Sequence, residues 1–301
     1  MLSLPVEYSP EVLENCHLQE QSLFFAKLPR EIRHDIFELA CTPSDDPGTP
    51  YRHTEFWYRP GHHARKRTCT SLLYICRRAW IEAHQLPMQL AEPTFWFGTD
   101  EIRPAWTNGG PRPRYEEQRF LDFMRGLSIE NHSNLKRIHI FAQMFWLEGN
   151  MWREIMPRGR RGEANRRLAW PPEVKITIKN TDWWGWEGDG PFFEDEAWIR
   201  RFLETRTLKS VQLFTLDLET LRSSREKVNR LRAIIDRLKQ THKSIGDWSL
   251  EDDSGHEVLQ WTRPGNIEGR RSHAHNHLSQ LDYCVYRLRW RNLQPNERLD
   301  T

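Results

Sequence analysis

Three short apolar stretches, Ile138–Phe141, Val174–Ile178 and Val211–Leu216, recur at roughly 36–38-residue intervals, and this rhythm constrains the fold more than any other feature. Each is rich in β-branched or aromatic residues, which favour strands. The intervals hold helix-period segments. Glu116–Leu127 carries Phe120, Leu121, Phe123, Met124 and Leu127, a second segment lies near 147–156, and Glu194–Glu204 carries Ala197, Trp198, Phe202 and Leu203. Strands alternating with helices at this spacing predict parallel strands joined by crossover helices. The interval also admits a short, irregular leucine-rich-repeat-like layer, although the match to a strict repeat is poor. Leu221–Thr241 is the strongest helix of this half, with Val228, Leu231, Ile234, Ile235 and Leu238 on one face. Asp247–Leu250, Glu257–Thr262 and Tyr283–Arg291 read as strands; in the last, Tyr283, Val285, Arg287 and Arg289 alternate with Cys284, Tyr286, Leu288 and Trp290.

The N-terminal third has a different pattern. Residues 1–22 are polar and read as an arm, after which Leu28, Ile32, Ile36 and Leu39 fall at helical spacing. Pro29 suits the start of that helix, where a missing N–H leaves no bond unmade. Residues 42–68 read as a loop with Pro43, Pro47, Gly48, Pro50, Pro60 and Gly61, closing on Arg65, Lys66 and Arg67. A second helix is expected from about Ser71, with Leu72, Ile75, Cys76, Ala79, Trp80 and Ala83 as its apolar stripe. Pro87 and Pro93 end it, and Thr94–Phe97 is a strand candidate.

These two helices carry a resemblance. Leu28, Pro29, Glu31, Ile32 and Arg33, followed by Leu72, Leu73, Cys76, Arg77, Glu82 and Ala83 and the strand Thr94–Phe97, resemble the F-box-like module of fungal proteins. Here the helices are separated by the insertion at 42–68. The resemblance implies a protein-interaction protein, with Leu28, Pro29, Ile32, Ile36 and Leu39 facing the Skp-type linker of a ubiquitin ligase and the rest of the chain recruiting a client. The expected organisation is an arm (1–22), the F-box-like helical module (23–97), a linker (98–115), an α/β domain with a mostly parallel sheet (116–293) and a tail (294–301). Its class is thus α+β at the N-terminal helix pair and α/β beyond it.

Composition supports a globular chain without a bulk nucleic-acid signature. Mean hydropathy is −0.79, yet 14 Trp and 14 Phe supply core material. The formal net charge is only +2, with Arg far outnumbering Lys among the 44 basic residues. The 5 cysteines are scattered, without a Cys-x-x-Cys pair, as expected of reduced thiols. With no secretory or membrane-spanning pattern in the sequence, the expected location is intracellular, cytoplasmic or nuclear.

Other clusters suggest chemistry less directly. His273, His275 and His277 alternate as metal ligands on a strand would, and His62, His63, Cys69 and Cys76 are a second metal-type set; polar turns and core packing explain both better. Arg158, Arg160, Arg161, Arg166 and Arg167 could meet phosphate or nucleic acid, but a solvated loop is the simpler account. Trp183, Trp184 and Trp186, flanked by glycines and acids, have the composition of an interface anchor and are the candidate client-binding residues. No nucleophile elbow, phosphate loop, dinucleotide fingerprint or zinc-protease helix occurs. The sequence thus points to a protein that is not an enzyme and uses no cofactor. The alternatives are a scaffold whose F-box-like helices are only core and, more weakly, a nucleic-acid-associated protein using the Arg158–Arg167 loop.

Overall fold

The computed structural model describes residues 16–53, 55, 57–98, 116–149, 170–186, 188, 190–264 and 280–293. The chain divides into two compact units interleaved along the sequence. The first comprises Met1–Pro50, Ala64–Ala91 and Ser133–Lys136, and the second Tyr51–His63, Glu92–His132 and Arg137–Thr301. The strand Thr94–Phe97 belongs to the second unit.

In the first unit, α1 (Leu23–Lys27), α2 (Arg30–Cys41), α3 (Arg77–Ala83) and α4 (Leu86–Leu90) surround one small core. Phe25, Phe37, Cys41, Ala79, Ala83 and Leu86 are its buried members. On α2 the inward row is Arg33, Phe37 and Cys41, spaced four apart. Arg33 is buried because it is fully engaged: Nε and Nη2 donate to the two Glu82 carboxylate oxygens at 2.8 and 2.7 Å, and Nη1 to the Leu28 carbonyl at 2.7 Å. This two-pronged, charge-assisted geometry is the strong form of the ion pair. It ties α2 to α3 across 49 residues of sequence. The second helix differs from expectation. Ser71–Tyr74 forms a 3₁₀ turn, Cys76 is extended, and its Sγ accepts the Ala79 N–H as the cap of α3. The break resets the helical phase, so Ile81 is buried while Ile75 and Trp80 are exposed.

The segment 42–68 is not wholly loop. β1 (Ser44–Pro50) and β2 (Ala64–Arg67) pair antiparallel, with Asp45 opposite Lys66 and an ion pair of 2.7 Å between them. A strand of Asp, Pro and Gly contradicts β propensity, which is why the sequence conceals it.

The second unit is a mixed sheet in the order β3 (Thr94–Phe97), β4 (Arg137–Ala142), β5 (Glu173–Ile178), β6 (Leu213–Leu221), β10 (Gln280–Asn292), β8 (Trp248–Leu250) and β7 (Ser244–Ile245), with β9 (His256–Pro264) also on β10. The run from β3 to β6 is parallel, as the strand–helix rhythm predicts, and the pairs beyond β6 are antiparallel. Registered pairs place Phe95, Ile140, Ile176, Leu216 and Leu288 on one face. Helices cover that face. Phe120 of α5 (Glu116–Gly126) meets Phe95, Trp146 of α7 (Met144–Glu148) meets Phe97, and Phe202 of α8 (Ala197–Leu203) meets Phe214. Between α5 and β4 lies α6 (Ile129–Asn134), and α9 (Arg225–Thr241) turns Leu231, Ile234, Ile235 and Leu238 inward. The opposite face, carrying His139, Lys175, Asp217, Glu219 and Arg287, is polar.

Candidate functional site

Two surfaces carry chemistry, one in each unit. On α2 the stripe expected to face a partner does point outward: Ile32 is 45% exposed, Ile36 37% and Leu39 79%. Pro29 is exposed too, and Leu28 is half-buried. The core uses the opposite row, so these side chains are not consumed by packing. Apolar groups repeated along one face of a short helix have the form of a helix-in-groove or helix-on-helix contact.

The sequence-predicted aromatic loop is built otherwise than expected. Trp183 is buried, and its indole N–H donates to the Glu219 carbonyl at 2.8 Å. Trp184 is half-buried and donates to Glu148 Oε2 at 2.5 Å. The Trp186 carbonyl accepts from Lys227. As a set, the candidate client-binding residues Trp183, Trp184 and Trp186 therefore do not form an exposed anchor: Trp183 is interior, and only the other two reach the surface. The indole N–H groups of Trp183 and Trp184 have partners within the fold, a consequence that composition could not signal. Glu148 collects this loop, also accepting the Glu194 and Asp195 N–H groups at 2.8 and 3.1 Å, and burial raises its pKa.

The second surface lies on the polar face of the sheet and went unrecognised in the sequence. Pro60 and Gly61, with Gly61 at φ +79°, turn the chain between Arg59 and His62, which bridge each other as a tight hairpin. The turn lays both side chains on the sheet. Arg59 is buried, its guanidinium carbon 4.8 Å from the Phe141 ring centre and 5.7 Å from that of Trp261. Its Nη2 donates to both oxygens of Glu219 at 3.1 Å. Glu219 also accepts the Asn180 N–H at 3.1 Å and the Trp261 indole N–H at 3.2 Å. Two residues earlier on β6, Asp217 receives the Arg287 fork at 2.7 and 2.8 Å and lies 3.3 Å from Lys175 Nζ. Burial alone would raise the Asp217 carboxyl, but Arg287 and Lys175 hold it below the usual range.

The two imidazoles sit beside these ion pairs. His139 Nε2 is 2.8 Å from Thr177 Oγ1, and its ring centre is 5.4 Å from that of His62. Burial first, then the Lys175 charge, hold the His139 pKa well below the ordinary imidazole value. For His62 burial leads again, followed by His139, Arg59 and Lys175. Both rings are neutral at pH 7. Phe141, Thr177, Leu259 and Val285 complete the walls of a pocket of about 50 Å³. The only sequence signal for it was the alternation of polar residues along β4 to β6, which reads equally as a solvated face.

The remaining sequence candidates do not converge. Cys76 caps α3, whereas His62 belongs to the sheet face, and among the described residues no three His, Cys, Asp or Glu side chains group as metal ligands. The Arg158–Arg167 loop, the His273–His277 run, the tail, residues 1–15 and nearly all of the expected linker lie outside the described residues. Among the described residues no helix is long and apolar enough to cross a membrane. No protein-family model matches the chain, and no curated protein or solved structure matches it either.

Proposed function

We propose that the chain is a non-enzymatic, F-box-like protein-interaction protein whose α2 stripe docks a Skp-type linker, so that the α/β unit can present a client. The observation carrying this reading is the outward orientation of Ile32, Ile36 and Leu39 beside an inward row that already fills the core. The Arg33–Glu82 lock supports it by joining the two motif helices that such a module requires. The parallel run from β3 to β6 is compatible with a short repeat-like layer as the client-facing part.

Co-purification tests the proposal. The full chain should capture a Skp-type linker. Ile32→Asp with Ile36→Asp should weaken capture a hundredfold or more, since each lost apolar anchor contributes roughly 1.5–3 kcal/mol. Both positions are exposed, so the variant should keep its fold. Failure of the wild-type chain to capture the linker would remove the ubiquitin-ligase reading and leave the scaffold alternative.

A further inference from the structure

The sheet-face pocket is independent of the α2 stripe and carries its own inference. We propose that it binds a small oxyanion, a phosphate-type or carboxylate group, held by Lys175, Arg59 and His62. Three properties of the pocket argue for this ligand. Its volume of about 50 Å³, room for a few water-sized centres at ~10–15 Å³ each, restricts the ligand to a small group. Its donors are in surplus. Arg59 Nε is buried without an acceptor among the described residues, and the His62 ring makes no hydrogen bond there. Lys175 Nζ offers Asp217 only one of its three protons, at 3.3 Å. Its carboxylates are also already committed: Asp217 and Glu219 each have an arginine partner, and the third carboxylate near the imidazoles, Glu92, has a partly exposed side chain.

A self-contained ion-pair network is the competing account, and it fits less well. Such a network should satisfy its own buried donors, because each one left unmade is unfavourable. Here both Arg59 Nε and His139 Nδ1 remain without a hydrogen-bond partner, although both residues line the pocket. His139 Nδ1 is 3.4 Å from Glu92 Oε1, outside hydrogen-bond geometry. The site is also held rigidly. Arg59 is clamped between Phe141 and Trp261, and the neighbouring Arg263 is engaged with the Tyr283 hydroxyl at 3.1 Å.

Binding should be linked to pH. The charged groups facing the imidazoles are Arg59 beside the turn, Glu92 ahead of β3, Lys175 on β5, Asp217 on β6 and Arg287 on β10. A bound anion offsets the repulsion from the cations, so the imidazoles take up protons on binding and affinity rises as pH falls. Sulfate is the probe for this, because its charge is constant between pH 6 and 8.

The experiment titrates the full chain with sulfate, phosphate and acetate at fixed ionic strength, following calorimetric heat and the imidazole resonances of His62 and His139. Saturable binding is expected, with both resonances moving and sulfate bound more tightly at pH 6 than at pH 8. Lys175→Gln should weaken it at least about tenfold, and Lys209→Gln, which is not among the residues lining the pocket, should leave it unchanged. Sulfate and phosphate without acetate would assign a phosphate-type group, and acetate alone a carboxylate; either supports the proposal. If Lys175→Gln perturbs the circular dichroism spectrum, His62→Gln serves in its place. No saturable binding, or binding that the pocket variants do not alter, would mean a water-filled structural network and would overturn the proposal.

Discussion

Consider Arg33 and Glu82, whose side chains are only 6% and 9% exposed and which join α2 to α3. Breaking a buried pair costs about 3–5 kcal/mol, because the remaining charge stays buried. Arg33→Met should fall near the lower end, about 3 kcal/mol, since Glu82 keeps a contact with Arg78 Nε at 3.1 Å. Glu82→Leu should cost more, about 4 kcal/mol. It leaves Arg33 with the Leu28 carbonyl and a Phe25 ring 5.6 Å away, neither able to neutralise a guanidinium. The double variant, which removes both charges and keeps the volume apolar, should lie within about 1–2 kcal/mol of the parent, far below the sum of the singles. Native-state amide exchange at Phe37 and Ala83 reads the opening free energy of this core directly, without mixing in the second unit. Singles that each cost under about 1 kcal/mol, or a double equal to their sum, would refute the reasoning. The pair would then be no stronger than an exposed one.

The sheet face makes stability acid-sensitive. His62 and His139 have folded pKa values below the unfolded 6.5, so their contribution is complete above pH 6.5 and is lost as pH falls through the folded values. Unfolding free energies from urea titrations should fall as pH drops below 6.5, by up to about 1.4 kcal/mol per pH unit for each imidazole, and His139→Gln should flatten the profile; an unchanged profile in that variant would contradict the assignment. Thiol chemistry should be equally selective. Cys69 is exposed and its pKa is lowered by hydrogen bonds involving Ser71, whereas burial pushes the Cys284 thiol up to about 12. At pH 7.5 a maleimide should label Cys69 first and leave Cys284 unmodified in the folded chain, as peptide mass mapping would show; early modification of Cys284 would refute its burial.

Local pattern made the elements legible, whereas long-range pairing hid the site. The helix over Leu28–Ala40, the strands expected from 138, 174 and 211, the last of which begins at Leu213, and the helix ending at Thr241 follow from periodicity, which only neighbours in sequence determine. The α2 stripe could be named but not oriented. A helix carrying both Ile32, Ile36, Leu39 and Arg33, Phe37, Cys41 has two competing rows, and hydrophobicity favours the one the fold leaves outside. Arg33 holds the interior with a counter-charge from Glu82, 49 residues away. The sheet-face pocket was less legible still. Asp217, Lys175 and His139 look like an ordinary solvated alternation until Arg59 and His62 arrive from a turn read as part of an insertion. Trp183 misled for the same reason, since its partner, the Glu219 carbonyl, is 36 residues downstream.

The interleaving of the two units has a consequence for synthesis. Arg59 precedes Glu219 by 160 residues. At ~5–20 residues per second, the ribosome would extrude the turn about 8–32 s before its carboxylate partner emerges. During that interval the helices on either side of Tyr51–His63 can already settle, while the turn between them has no counter-charge and no Trp261 to cover it. Ending the chain anywhere between Arg59 and Glu219 would make that delay permanent. The segment Tyr51–His63 is therefore a part of the chain whose folding waits on partners far downstream, and a place for a holding chaperone to grip.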